Sequence, residues 1–422
     1  MYPIDESFKA DVTAIVENEK APVINEQYKK DVTAKLVENQ LKFLKESANQ
    51  TNVTGSAISN WDPVLINMVR RSAPKSLGFD IAGLQPMSQP TGLVFAIRSR
   101  YTNQTGAEAN INEPNTAFSG TGTQAGDTSG FATDAFGGGD PATGTTAGEG
   151  MATANAEGLG TTGGSAWAEM AFSIESTQAT AKSRALKATY SNELATDLKA
   201  VHGLDAKAEL GAILSTEIVA EQDRELLRKV NISAELGAQA ATVPGRYNIQ
   251  ADADGRWMAE KFQSLAFQID LESNQIGINT RRARGNFIIA SSNVVSALSI
   301  SKVLVGGSEL DSDVNGPLFA GTINGRIKVY VDPYATVDYV TTGYRGANAW
   351  DAGIYVCPYV PLEMYQAVGE DSFSPVLGFK TRRDIIANPF AANTASGAKA
   401  GKGLGQGENP YFRKMQITGI TL

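Results

Sequence analysis

The cleanest alternation of apolar and polar side chains lies at residues 168–175, where Met170, Phe172 and Ile174 alternate with Glu169, Ala171, Ser173 and Glu175. A period of two predicts a half-buried strand. Residues 93–101 repeat the pattern, with Phe95, Ile97 and Tyr101 on one face and Arg98 and Arg100 on the other. The two segments predict a strand pair. After Thr180 the period lengthens: Leu186, Tyr190, Leu194 and Leu198 recur every four residues, which stacks them on one helical face. That helix stops at His202-Gly203, because Gly takes the left-handed cap at little steric cost and a basic side chain suits the last turn. Asp205 then starts a second helix with an apolar stripe of Leu210, Ile213, Leu214, Ile218, Leu226 and Val230, interrupted by Gln222. Such a helix is about 35 Å long at 1.5 Å per residue. It reads as a spine on which sheets are laid.

The rest of the pattern is weaker. Residues 1–60 are polar, and Val32, Leu36, Leu41 and Leu44 predict one amphipathic helix over 31–45, read as an arm. A short helix is expected over 64–72, stopped by Pro74, and a third long one from Trp257, with Met258, Phe262, Leu265, Ile269 and Ile276 buried. Strands are expected at 286–290, at 327–331 (ended by Asp332-Pro333), and at 353–356, 375–380 and 411–420. Residues 397–407 read as a flexible loop by composition. Between the two first-named strands lies an excursion rich in Gly, Thr, Ala and Asn, without periodicity and without Lys or Arg from Tyr101 to Ala181. A structureless stretch this long is functional or disordered. Strand, excursion and strand together read as a long hairpin with an irregular tip, on an α+β body.

Composition narrows the function. The 422 residues suffice for two or three domains and a sizeable core. The single Cys357 excludes an internal disulfide framework. No basic n-region precedes an apolar run at the N-terminus, so no secretory signal is expected. No apolar stretch is long enough to span a bilayer, since 287–300 is interrupted by Ser and Asn. A net charge of −8 argues against gripping nucleic acid, which takes clustered Lys and Arg. One His and one Cys cannot build a Cys/His zinc site, and His202 is a helix cap before it is a general base. Residues 397–403 fall one residue short of a phosphate loop and lack its Ser/Thr, and 120–126 lack dinucleotide spacing. No catalytic, cofactor-binding or metal-ligating residue is expected, and no cofactor.

Several blocks carry a resemblance: ENQLKFLKE, MVRRSAPKSLGFDIAGLQPMSQPTGLVFAIRS, residues 168–231, FQIDLESNQIGINTRRARGNFIIASSNVV, VYVDPYATVDYVTTGYRGANAWDAGIYVCPYVPL, VLGFKTRRDIIANPF and NPYFRKMQITGI. In order and spacing they resemble the major capsid protein family of T-even-type tailed phages, over most of the chain outside 102–165. The resemblance implies the Hong Kong 97-type capsid fold, α+β. Mapped here it gives an N-terminal arm at 1–60, a further arm segment with a short helix at 61–86, and an extended hairpin loop at 87–176 with its Gly-rich acidic tip at 102–165. A peripheral domain with the spine helix then covers 177–284 and the C-terminal strands 361–422, and an axial domain covers 285–360. Larger relatives carry a folded insertion domain at the hairpin tip, which this chain replaces with a shorter segment.

The resemblance also implies self-assembly into hexamers and pentamers of an icosahedral head that encloses packaged double-stranded DNA without sequence-specific binding. It implies location in the virion after assembly in the host cytoplasm, with scaffold, portal, vertex and decoration proteins as further partners, and neither a membrane nor enzymatic activity. Family members are trimmed after Leu/Ile-x-Glu, and of the triplets ending at Glu17, Glu26, Glu38 and Glu46, Glu46–Ser47 is best placed, where the helix pattern fades. Expected inter-subunit contacts join the basic groups Arg70, Arg71, Arg281, Arg282 and Arg284 to the acidic excursion, including Glu108, Glu113, Asp127 and Asp134. The competing reading is a soluble α+β enzyme or ligand-binding protein with a mobile Gly-rich lid. It lacks convergent catalytic side chains.

Overall fold

The computed structural model of the chain describes residues 9–17, 24, 27–48, 77–109, 114–124, 146–161, 166–203, 206–239, 241–253, 257–306, 318–348, 350–368, 374–391 and 403–420. The N-terminal part holds helices α1 (Lys9–Val16), α2 (Gln27–Ala48) and α3 (Gly78–Ile81), then strands β1 (Gly83–Leu84) and β2 (Thr91–Tyr101). A short helix α4 (Thr153–Glu157) precedes strands β3 (Met170–Thr180) and β4 (Lys182–Thr189). Helices α5 (Asn192–His202) and α6 (Ala206–Ser233) follow, with strands β5 (Ala234–Leu236) and β6 (Arg246–Asn248) and helix α7 (Met258–Thr280). The remainder is β7 (Phe287–Ser291), α8 (Ser292–Ile300), β8 (Leu304–Gly306), β9 (Leu318–Ile323), β10 (Ile327–Asp332), β11 (Tyr339–Gly343), β12 (Ile354–Val368), β13 (Pro375–Ala387) and β14 (Asn409–Thr418). The expected short helix over 64–72 and most of the loop at 397–407 lie outside the described residues. The chain divides into two compact units, Phe95–Glu175 and the remainder.

In the larger unit, a four-stranded sheet runs β1-β12-β13-β4, and an eight-stranded sheet runs β5-β14-β11-β7-β10-β9-β8 with β6 also on β14. The wholly buried β7 is parallel to β10 and antiparallel to β11. Helix α7 turns Phe262, Leu265, Ile269 and Ile276 inward as the pattern predicts; the first three, with Val294 and Leu298 of α8, cover one face of this sheet at Ile288, Val329, Val340 and Met415. Helix α6 meets both sheets: Leu226 and Val230 pack with Phe287, Ile354, Ile385 and Phe412, while Ile218 packs with Leu362 and Phe379. Its 28 residues make it about 42 Å long at 1.5 Å per residue, longer than expected.

Three expectations are corrected. Leu186 lies in strand β4, where it pairs with Phe379, and helix α5 begins only at Asn192. A spacing of four returns a side chain to the same face in a strand as well as in a helix, so the periodicity could not separate them. The Ser191 hydroxyl accepts the Leu194 amide and marks the true start, and Gly203 closes the helix at φ 68° as expected. Strand β12 runs far past 356, although Pro358 and Pro361 argue against a continuing strand. The chain carries both by shifting register between Pro358 and Val360 and again before Glu363. Strand β13 continues beyond 380 through Thr-Arg-Arg-Asp because Arg383 and Asp384 are buried and partnered.

The N-terminal helix differs most from its sequence pattern. Residues 32–40 of α2 are all buried. Val32 and Leu36 join the core with Leu84, Leu226 and Val356, while Ala34 and Val37 join the cluster of Ile218 and Phe379. The Tyr28 hydroxyl bonds both the N–H and the C=O of Leu84 at 2.9 Å, and Asn39 Nδ2 donates to the carbonyls of Met87 (2.8 Å) and Tyr359 (3.0 Å). Glu38 is fully buried; burial raises its pKa, but Lys35 at 2.8 Å and Lys42 at 2.7 Å outweigh this and lower it. Over residues 32–40 the helix is therefore an inserted wedge. The peptide Glu46–Ser47 falls in its last turn, where the side chains lie outside the described residues.

Both amide atoms of the fully buried Gln40 find no hydrogen-bond partner among the described residues. Each such atom costs roughly 1–3 kcal/mol. Gln40→Leu is therefore expected to raise the stability of the unassembled chain by about 1–3 kcal/mol. Leu36→Ala is expected to lower it by about 2–4 kcal/mol, and urea unfolding measures both.

Candidate assembly surfaces

The hairpin of β2 and β3 forms its own two-stranded sheet, as the alternation predicts. Its polarity is the reverse of a half-buried strand pair. Arg98, on one face, is 5% exposed and donates to Glu108 (2.7 Å) and Glu175 (3.0 Å). Arg100 beside it reaches Glu175 at 3.3 Å, Ser173 at 2.9 Å and the Gly106 carbonyl at 2.9 Å. The charged face is thus closed and internally satisfied. The opposite face carries Leu93, Phe95, Ile97, Met170, Phe172 and Ile174, each between 56% and 66% exposed. Short-range alternation reported that one face is apolar; it could not report which face meets water.

A second set of groups fixes helix α6 to both sheets. Arg224 Nη1 donates to both oxygens of Asp332, at 2.7 and 2.8 Å, and the Tyr339 hydroxyl donates to Asp332 at 2.7 Å. Burial raises the Asp332 pKa, but these bonds and the Tyr334 amide outweigh it and hold the carboxyl below its usual range. Asn231 then links α6 to Tyr339 (3.2 Å) and Thr341 (2.8 Å). On the other sheet, Arg383 donates at 2.8 Å to Glu225 and to the Gln222 carbonyl, and Arg184 pairs with Glu225 at 2.9 Å and with Glu221. Nothing local in the sequence marked the links from α6 to Asp332, Tyr339, Thr341 and Arg383, because those partners lie more than a hundred positions away along the chain.

The third surface lies along α7. A groove of about 790 Å³ is lined by Leu236, Leu271, Ile278 and several amide side chains, with Arg413 in its wall. Arg413 is held by Glu272 at 2.6 Å, Glu235 at 3.2 Å and the Leu236 carbonyl at 3.1 Å. Burial pushes the Glu235 pKa up more than Arg413 and Asn279 pull it down. At the end of α7, Arg281 takes the left-handed cap at φ 53°, and Arg281, Arg282 and Arg284 are all exposed. Arg282 lies 4.0 Å from Asp351. Of the expected contact residues, Glu108 is engaged by Arg98 within its own hairpin. Arg70, Arg71, Glu113, Asp127 and Asp134 lie outside the described residues.

Among the described residues no reactive group accompanies these surfaces. Cys357 is buried in β12, and burial, with the nearby Asp384 charge, pushes its thiol up to about 12. His202 is exposed in the last turn of α5. Among the described residues no group of three or more His, Cys, Asp and Glu side chains could hold a metal ion.

A long helix shared by two sheets and an exposed apolar hairpin are the features of a protein built to contact others. The comparisons make this specific. The family described as "Major capsid protein Gp23" matches residues 58–417. The major capsid protein of Salmonella phage ViI is 41% identical, over 92% of this chain and 93% of that protein. Those of Vibrio phage KVP40 (41%, over 87% and 85%) and Enterobacteria phage T4 (38%, over 88% and 86%) are also similar. The chain belongs to the Gp23 family of phage major capsid proteins, and its place is the capsid shell of the virion. Among solved structures, the capsid of Myoviridae phage XM1 aligns over 81% of this chain and 92% of that one, at 10% identity and a TM-score of 0.39, and carries no weight in the assignment.

Because the Asp332 pKa is lowered on folding from 3.8, the stabilisation from Arg224–Asp332 is complete above about pH 4 and lost as pH falls through the lower folded-state value. Asp332→Asn is expected to cost about 2–3 kcal/mol at pH 7, since it leaves a partly buried Arg224 unpaired. It is also expected to flatten the decline of stability below pH 4. Unfolding of both chains across pH 3–7 measures this.

Proposed function

We propose that copies of this chain associate with one another into hexameric and pentameric rings, which close into an icosahedral head around packaged double-stranded DNA. The observation that carries this reading is the exposed apolar face of the hairpin. Contiguous apolar patches on a protein surface mark interaction sites, and six large side chains on one ribbon form such a patch. Rings arise when head-to-tail contacts repeat with a rotation that closes. The charge of −8 suits a wall that lies beside DNA without binding it. No catalytic step is assigned to the chain.

The division of labour follows the same reading, in the Hong Kong 97-type arrangement. Residues 87–176 serve as the extended loop. The sheet β1-β12-β13-β4 with α6 serves as the peripheral part, although β12 begins in the segment expected to be axial, and the eight-stranded sheet serves as the axial part, to which β5, β6 and β14 contribute from segments expected to be peripheral. Scaffold, portal, vertex and decoration proteins are the further partners. A capsid vertex protein of Enterobacteria phage T4, 26% identical over 53% of this chain, supports a vertex subunit of related build. Processing at Glu46–Ser47 requires the last turn of α2 to open first.

Negative-stain electron microscopy of the purified chain tests the reading. Rings, tubes or shells are expected from the native sequence. Phe172→Glu, at an exposed position, is expected to leave the chain folded and to abolish them. A persistent monomer for the native chain would defeat the proposal that the chain assembles by itself.

A further inference from the structure

The buried face of α2 is half polar. Over residues 32–40, Val32, Ala34, Leu36 and Val37 are apolar, while Thr33, Lys35, Glu38, Asn39 and Gln40 are polar or charged, and all nine are at most 8% exposed. Helix α7 differs. It turns Phe262, Leu265, Ala266, Ile269 and Ile276 inward, and its buried Glu272, Ser273 and Thr280 are all hydrogen-bonded.

Several polar contacts of α2 lie inside the helix itself. Thr33 Oγ1 donates to the Lys29 carbonyl at 2.7 Å, and Glu38 is held by Lys35 and Lys42. Such bonds travel with the helix and do not tie it to the body. Bonds across to the body run from Tyr28 to Leu84 and from Asn39 to Met87 and Tyr359. The two amide atoms of Gln40 make neither kind of bond among the described residues. A buried amide without a partner regains hydrogen bonds by returning to water, so Gln40 favours the unseated helix.

The layers of the body stand without α2. The cluster under α7 that holds Ile288, Val329, Val340 and Met415 includes no residue of α1 or α2 among the described residues. Arg224–Asp332 and Glu225–Arg383 pin α6 to both sheets and involve no N-terminal residue. Proteins open locally in cooperative units, at a lower free energy than global unfolding. A helix with a half-polar buried face, internal pairing and an orphan amide has the composition of such a unit.

We infer that α2 is a reversible plug: it leaves its seat as one unit while both sheets stay folded, and the unpaired Gln40 sets how often it does so. The open state uncovers Ile218, Leu362 and Phe379 in one cluster and Leu84, Leu226 and Val356 in another. Out of its seat the helix loses the packing that supports it, so its last turn, which carries Glu46–Ser47, frays. The opening takes place whether or not that bond is ever cut.

Hydrogen exchange read by mass spectrometry on the full-length, unassembled chain tests this. Relative to their intrinsic rates, the amides of residues 32–40 are expected to exchange about a hundredfold faster than those of β7 and β11. Gln40→Leu and Gln40→Met each remove the orphan amide at similar side-chain size, and are expected to slow exchange in α2 by about fivefold or more. Leu36→Ala is expected to speed it by about thirtyfold or more. Equal protection of α2 and β7 in the native chain would mean that the helix leaves only when the whole chain unfolds, and would overturn the plug. Unchanged exchange of α2 in the Gln40 variants would overturn the role of Gln40. The native comparison stands by itself if either variant fails to fold.

Discussion

The structure hangs on the requirement that one long helix be buried on two sides at once. Helix α6 has apolar side chains for two different sheets along its length, Ile218 for the four-stranded sheet and Leu226 with Val230 for the region between both. Dispersion and burial hold the layers together, but they are non-directional and allow a helix to slide or roll. The directional part comes from ion pairs at one level of the helix. Arg224 grips Asp332 on β10, while Glu225, the next residue, meets Arg383 on β13. Consecutive side chains on a helix diverge by about 100°, so neighbours in sequence point to different layers. Two adjacent residues thereby pin one beam to two walls.

That rigid body contrasts with the hairpin. The body buries an extensive apolar core and pairs the buried charges around α6, whereas the hairpin pairs its charges and leaves its large apolar side chains in water. A two-stranded ribbon cannot bury both faces by itself. It must therefore choose which face to satisfy alone, and here Arg98, Arg100 and Glu175 satisfy the polar one. Leaving the apolar face open costs the isolated chain stability and solubility, and that cost is recovered only in contact with something else.

Much of the architecture was legible in the sequence. Alternation located β2 and β3, helical spacing located α6 and α7, and continuous apolar runs located β7 and β10. The failures have physical causes. A four-residue spacing serves strand and helix alike, so Leu186 was misread. Two prolines in β12 argued for a break that register shifts absorb. The Asn324-Gly325 pair, with both residues at positive φ (51° and 65°), makes the β9–β10 turn and is a strong hairpin signal; it marks β9 to a reader who looks for it. The contact surfaces were less legible. Which face of a ribbon meets solvent, and which distant carboxylate meets Arg413, depend on three-dimensional neighbours that no local window contains.

The buried seat of α2 also governs the order in which the molecule can be made. The helix leaves the ribosome well ahead of one of its partners, since Asn39 bonds the carbonyl of Tyr359, 320 residues later. At 5–20 residues per second that partner is roughly 15–60 s behind it. Through that interval Val32, Leu36 and Val37 lack the part of their cover that Val356, Leu362 and Phe379 supply. Contacts of such separation are slow to form and leave the growing chain adhesive. Each subunit is therefore synthesised with α2 waiting for strand β12, and that exposure falls on the nascent chain before any shell exists.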